Sequence, residues 1–139
     1  MGFLREDERN VITASEEFVR YVSPLTAITR TCPHGAKVAD QEIPAGTRIG
    51  LCWPSANRDD TVFDQADEVV LDRMPNPHIG FGFGIHHCLG APQARLIIRC
   101  LLKVLSEKVK RIDLISLVPR MEKEESFTRQ VGYDKVLTR

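Results

Sequence analysis

Apolar positions recur at helical spacing near both ends of the first two thirds of the chain, with weak alternation between. Val11, Ile12 and Ala14 lie one or two turns before Phe18, Val19 and Val22, which predicts a helix over Glu6 to Val22. Ser23-Pro24 ends it, because the residue before a proline is pushed out of the helical region. Leu25 to Thr31 is short and rich in Thr and Ile, a strand pattern. Pro33-His34-Gly35 breaks the chain, Lys37 to Ile43 reads as a small hairpin turning at Asp40, and Pro44-Ala45-Gly46 is a further turn. Thr47 to Trp53, apolar at Ile49, Leu51 and Trp53, is a second strand.

From Pro54 to Gly84 the pattern loses its period. Pro54, Pro75, Pro77, Gly80, Gly82 and Gly84 leave room only for helical turns near Ala56 to Asp59 and Asp64 to Glu68. A loop of that length in a compact domain usually has a function. The clearest helix follows, Leu89 to Lys108, with Ala94, Ile97, Ile98, Leu101 and Leu105 at three-to-four spacing. Pro92 falls in its first turn, where a missing N–H does little harm. The tail reads as short strands over Ile112 to Val118, Phe127 to Val131 and Lys135 to Thr138.

Composition narrows the function more than the fold. The 139 residues suggest one domain, and a net charge of zero, 19 basic against 19 acidic, argues against a nucleic-acid partner. No apolar run approaches the roughly 18 residues of a membrane span. Arg5, Glu6, Asp7, Glu8 and Arg9 make the start unlike a secretory signal. The cysteines at 32, 52, 88 and 100 include no CxxC pair, so neither a thioredoxin motif nor a zinc ribbon is supported, and a reducing cytoplasm is the expected compartment.

The candidate chemistry lies in Phe81-Gly82-Phe83-Gly84-Ile85-His86-His87-Cys88-Leu89-Gly90. Glycines 82, 84 and 90 would let the main chain lie against a flat ligand. Cys88 sits at the start of the long helix, where the macrodipole and free N–H groups favour a thiolate. Phe81 offers a flat apolar face beside it. A buried free cysteine after a glycine-rich loop is the plainer alternative. Zinc on His86, His87 and Cys88 is weaker still, because adjacent histidines seldom aim at one metal.

This stretch resembles, without a gap, the haem-binding loop of the cytochrome P450 family, Phe-Gly-x-Gly-x-His-x-Cys-x-Gly. The resemblance implies that Cys88 is the axial ligand of haem b (iron protoporphyrin IX). It also implies that Phe81 shields the proximal face, that His86 meets a propionate, and that Gly82, Gly84 and Gly90 belong to the cofactor site. Glu17-Phe18-Val19-Arg20 is similar to the family's Glu-x-x-Arg helix, and Asn57-Arg58-Asp59 with Arg73-Met74-Pro75-Asn76-Pro77-His78 to the irregular segment ahead of the ligand loop. By that resemblance Glu17, Arg20 and Arg73 form a buried network supporting the haem loop, although two residues three apart on a helix can equally be a solvated ion pair. Arg30, by family position, pairs with a haem propionate; on its own, one Arg on a Thr-rich strand is usually just exposed. His34 and His78 read as loop polar groups.

Arg95, Arg99 and Lys103 recur at steps of four along the long helix. They are either a solvated face or a docking patch for an acidic electron carrier. Gln93 stands where the family usually has Leu, and Val69 where an aromatic is common; either substitution is expected to loosen packing.

The resemblance covers the C-terminal part of the family's catalytic domain, lacks its long central helix and distal wall, and implies a mixed α/β fold, mainly helical with small β-sheets. The implied activity is monooxygenation of a small organic substrate, fed by a ferredoxin-type electron donor. The alternatives are an inactive truncated haem-binding fragment and a peroxygenase or isomerase of the same family. An incomplete domain would also leave the apolar face of the long helix uncovered.

Overall fold

The computed structural model describes residues 1–123 and 128–139. In chain order the elements are α1 (Gly2–Glu6), α2 (Glu8–Val22), β1 (Ile28–Cys32), β2 (Ala36–Val38), β3 (Gln41–Ile43), β4 (Thr47–Leu51), α3 (Trp53–Ala56), a single 3₁₀ turn (Gly84–His86), α4 (Ala91–Lys108), β5 (Leu114–Lys123) and β6 (Thr128–Thr138). The strands form three antiparallel pairs, β1 with β4, β2 with β3 and β5 with β6. The mixed class of helices and small antiparallel sheets that the resemblance implies is the one observed, with strand nearly as extensive as helix.

Where boundaries differ from expectation, local chemistry explains it. The helix expected from Glu6 is α2 and begins at Glu8, separated from the short α1, because Asp7 takes an extended backbone and its carboxylate accepts the Arg9 N–H, an N-cap. At the other end Ser23 adopts a left-handed conformation, φ 41°, and returns its N–H to the Val19 carbonyl. Strand β4 stops at Leu51, since Trp53-Pro54 opens α3 with proline in its first turn. In the tail, the expected breaks become one long antiparallel pair, β5 with β6. Register shifts beside Pro119 and between Arg120 and Met121 absorb the irregular residues without ending the pairing. Phe127, placed at the start of an expected strand, lies outside the described residues.

The core sits between α2 and α4. Val11 and Ala14 of α2 meet Leu102 of α4, with Leu4, Phe18, Leu71 and Ile98 packed around them. Arg5 of α1 donates to the Ser106 and Val109 carbonyls at the end of α4, satisfying groups that the helix leaves free. The α4 stripe read from the sequence is half right. Ile98 is half-buried, but Ile97 and Leu101 are exposed together with Leu96 and Val104. The helix is apolar on both sides and packed on one. The chain keeps 10469 Å2 of accessible surface. A folded monomer of 15.7 kDa is expected to keep about 7,300 Å2. Uncovered apolar side chains contribute to the excess: Leu114, Ile115, Leu117 and Val118 of β5 and the bare face of α4 are exposed.

Candidate functional site

Sheet β1–β4 presents one half-buried face, because alternate side chains of a strand point the same way. Ile28, Arg30 and Cys32 of β1 share it with Thr47, Ile49 and Leu51 of β4, in the register Ile28 to Leu51 and Arg30 to Ile49. Arg30 is therefore on the apolar side of its strand rather than in open solvent. That face forms one wall of a pocket of about 570 Å3, whose lining includes Leu25, Ile28, Arg30, Leu51 and Trp53 on one side and Phe81, His86 and Cys88 on the other. The volume falls within the usual range for small-molecule and cofactor sites.

The opposite wall is the loop before α4. It turns through Gly82, φ +78°, where a Cβ would stand 3.1 Å from the His86 carbonyl oxygen. The Gly82 N–H bonds the Ile79 carbonyl at 2.8 Å, and the Cys88 N–H bonds the Phe81 carbonyl at 2.7 Å. Cys88 lies three positions ahead of the first residue of α4 and is exposed. Gly90, the N-cap, has φ −82°, and a Cβ there would sit 3.9 Å from Cys88 Sγ, an ordinary contact. The tightest glycine is Gly80, where a Cβ would come within 2.8 Å of Val19 Cγ1 and 3.2 Å of the Val19 carbonyl oxygen. Close approach of this loop to α2 thus depends on the missing side chain.

The loop ahead of this turn has almost no regular backbone pairing, and buried charge holds it. Arg20 grips Glu17 with two bonds of 2.8 Å, and Arg73 Nε donates to the same carboxylate at 3.0 Å. Glu17 and Arg20 are fully buried and Arg73 nearly so. The remaining donors reach backbone: Arg20 to the carbonyls of Asn57, Ala66 and Glu68, and Arg73 to those of Asp64 and Gln65. Two arginines thereby take the place of a sheet in ordering residues 57–73. Asn57, fully buried, has a role that its position in the sequence does not reveal. Its side-chain Nδ2 donates to Ser23 Oγ and its side-chain Oδ1 accepts the Ile79 N–H, pinning the loop entrance to the end of α2.

A second carboxylate, Glu16, gives no sign of its role in the sequence. It accepts from Arg95 Nε at 2.9 and 3.0 Å, from Arg99 at 2.9 Å and from His78 Nε2 at 3.2 Å. The sequence places Arg95 and Arg99 with Lys103 in a stripe open to solvent or to a partner. The structure instead folds the first two onto Glu16, because α4 crosses α2 at that point. Among the described residues, Lys103 alone of the three makes no ion pair. His78 is likewise no ordinary loop residue: its side chain is buried, and its Nδ1 accepts the Gly80 N–H at 3.1 Å. Gln93 and Val69, both expected to loosen packing, are exposed and disturb no core contact.

Burial pushes both carboxylates upward, but the opposing bonds win: Arg95, His78 and Arg99 hold Glu16 below the usual range, and Arg20, the Val70 N–H and Arg73 do the same for Glu17. Burial lowers His78 below its ordinary 6.5, against the pull of Glu16. The signs agree. Below pH 6.5 the unfolded chain protonates His78 before the folded chain does, and below 4.5 it protonates Glu16 and Glu17 first. Stability is therefore complete above pH 6.5 and declines in two stages on acidification. Urea unfolding followed from pH 8 to pH 4 checks this; a midpoint flat across that range contradicts it.

Among the described residues no helix is long and apolar enough to cross a membrane. The family model for cytochrome P450 matches residues 12–110. A putative cytochrome P450 126 from Mycobacterium tuberculosis is 43% identical over 112 residues, which is 81% of this chain and 27% of that protein. Linalool 8-monooxygenase from Pseudomonas putida is 36% identical over 113 residues, 81% of this chain and 28% of its own length. The solved structure of a carbohydrate-active P450 superposes with a TM-score of 0.88 at 41% identity, covering 97% of this chain and 36% of that one. The chain thus spans about a third or less of the length of the relatives it matches.

Proposed function

The chain belongs to the cytochrome P450 family, and from that premise we propose that it builds the thiolate side of a haem site, with Cys88 as the iron ligand. One observation carries the reading: Arg30, Phe81, His86 and Cys88, drawn from a strand and a distant loop, line a single pocket. The donor set suits the group. Leu25, Ile28, Leu51 and Trp53 give an apolar wall for a macrocycle, the Arg30 guanidinium and a ring N–H of His86 give donors for its two carboxylates, and Cys88 gives a thiolate for the metal. The absence of a CxxCH run favours haem b, held without covalent attachment.

When bound, haem would supply the redox chemistry by which one oxygen atom of O2 enters a small organic substrate. The chain's own residues do the rest. The Glu17–Arg20–Arg73 network orders the segment ahead of the thiolate loop, and the Phe81 carbonyl fixes the Cys88 amide. A ferredoxin-type donor would approach α4, where Lys103 and the one net positive charge left by Arg95, Arg99 and Glu16 remain for an acidic surface.

A second reading, haem binding without turnover, has its own support. Phe83, Ile85 and Leu89 around the proposed ligand stand open to solvent, whereas oxygen chemistry needs water excluded. Hemin titration, dithionite reduction and CO addition test the common part. The expected result is saturable uptake and the ferrous–CO Soret band of thiolate ligation. No uptake sinks both readings for this chain. Oxygenation faster than free hemin separates the first from the second.

A further inference from the structure

We propose that Glu16 is a positioning residue for the thiolate loop, setting Phe81 and through it Cys88; this rests on Cys88 being the iron ligand. The geometry converges on one carboxylate. Glu16 belongs to α2, its partners Arg95 and Arg99 to α4, and its partner His78 to the loop, so a single side chain ties three segments together.

Two of those partners continue to Phe81. The guanidinium of Arg95, held on both Glu16 oxygens, lies over the Phe81 ring with Cζ 4.5 Å from its centroid. His78 accepts the Gly80 N–H on Nδ1, so its proton is on Nε2 and is donated to Glu16. Its ring also meets Phe81, at 6.1 Å between centroids. Phe81 is thus held by one ring face and by the backbone just before it, and its carbonyl accepts the Cys88 N–H at 2.7 Å. Ser15, bonded to Arg99 Nε at 3.2 Å, keeps that second arginine in line. Glu17 next door serves a different segment. Its bonds run to residues 20, 70, 73 and 76, all upstream of the loop that carries the sulfur.

The test is Glu16→Gln in the full chain, which keeps the shape and removes the charge. Without haem, hydrogen exchange at the Gly80 and Cys88 amides should quicken by about tenfold or more, while amides of the β1–β4 pair stay within about twofold. With hemin, reduced and under CO, the variant should show a smaller share of thiolate band than the wild type. Unchanged exchange at Cys88, or equal acceleration in β1–β4, overturns the proposal. Should Glu16→Gln not fold, Arg95→Lys decides: it leaves a cation for Glu16 but removes the planar group over Phe81, and unchanged exchange at Cys88 in that variant also overturns it. A wild type that takes up no hemin sinks the haem reading, while the exchange result still reports on the loop.

Discussion

A Cys88→Ala chain is expected to fold like the wild type and to lose the thiolate Soret band of its ferrous–CO haem completely. The fold should hold because the sulfur is exposed and both backbone bonds at this position, its N–H to Phe81 and its carbonyl from Ala91, survive in alanine. The stability change should stay within about 0.5 kcal/mol, as for surface positions generally. The spectral loss should be total because Cys88 is the thiol lining the pocket. Cys52 and Cys100 are exposed elsewhere, and Cys32 lies at the far end of β1. Hemin can still enter the variant, with His86 or His87 as a replacement ligand, and the band then moves to that of imidazole ligation. A residual thiolate band in the variant would assign the iron to another cysteine.

The largest stability effect is expected at Glu17. Removing this carboxylate strands Arg20 and Arg73 in the interior with their donors facing an empty site, and breaking a buried ion pair by deleting one partner costs about 3–5 kcal/mol. Domains of ordinary stability hold only about 5–15 kcal/mol in total. This one has a small core and a large uncovered surface, so Glu17→Ala should leave it largely unfolded at room temperature. Glu17→Gln keeps a polar group in place and should fall between. Far-ultraviolet circular dichroism through a urea titration reads both. A midpoint for Glu17→Ala within experimental error of the wild type would show that the network is dispensable.

Much of the architecture is legible in the sequence because it is encoded locally. The hairpin turning at Asp40, the helix ending at Ser23-Pro24 and the proline in the first turn of α4 each depend on residues within a few positions of one another. The loop proposed to hold the iron is legible for the same reason: its glycines, histidine and cysteine fall within ten residues. The uncovered face of α4 is expected from the width of its apolar stripe. Which side would be bare is not, because periodicity locates a stripe without saying how much of it a short partner such as α2 can cover.

Glu16 and Asn57 are illegible for the opposite reason. Nothing near Glu16 in sequence distinguishes it from an exposed helical acid. Its partners lie 62 to 83 positions away, and the Asn57 bond to Ser23 spans 34. The stripe of Arg95, Arg99 and Lys103 shows what this costs: spacing identified three cations on one helix face, and a carboxylate from another helix claimed two of them.

The resemblance of one ten-residue motif suffices for the family and the mixed fold class, and short-range spacing for the loop that offers Cys88 and the carboxylate–arginine pair of Glu17 and Arg20, because backbone geometry leaves few choices over a few residues. Packing added the rest. It turned Arg30 to the same pocket as Cys88, closed the Glu17 network with Arg73, and gathered α2, α4 and the loop before Phe81 on Glu16. Those are contacts between distant segments, set by how two helices cross and how strands face, and no local pattern carries that information.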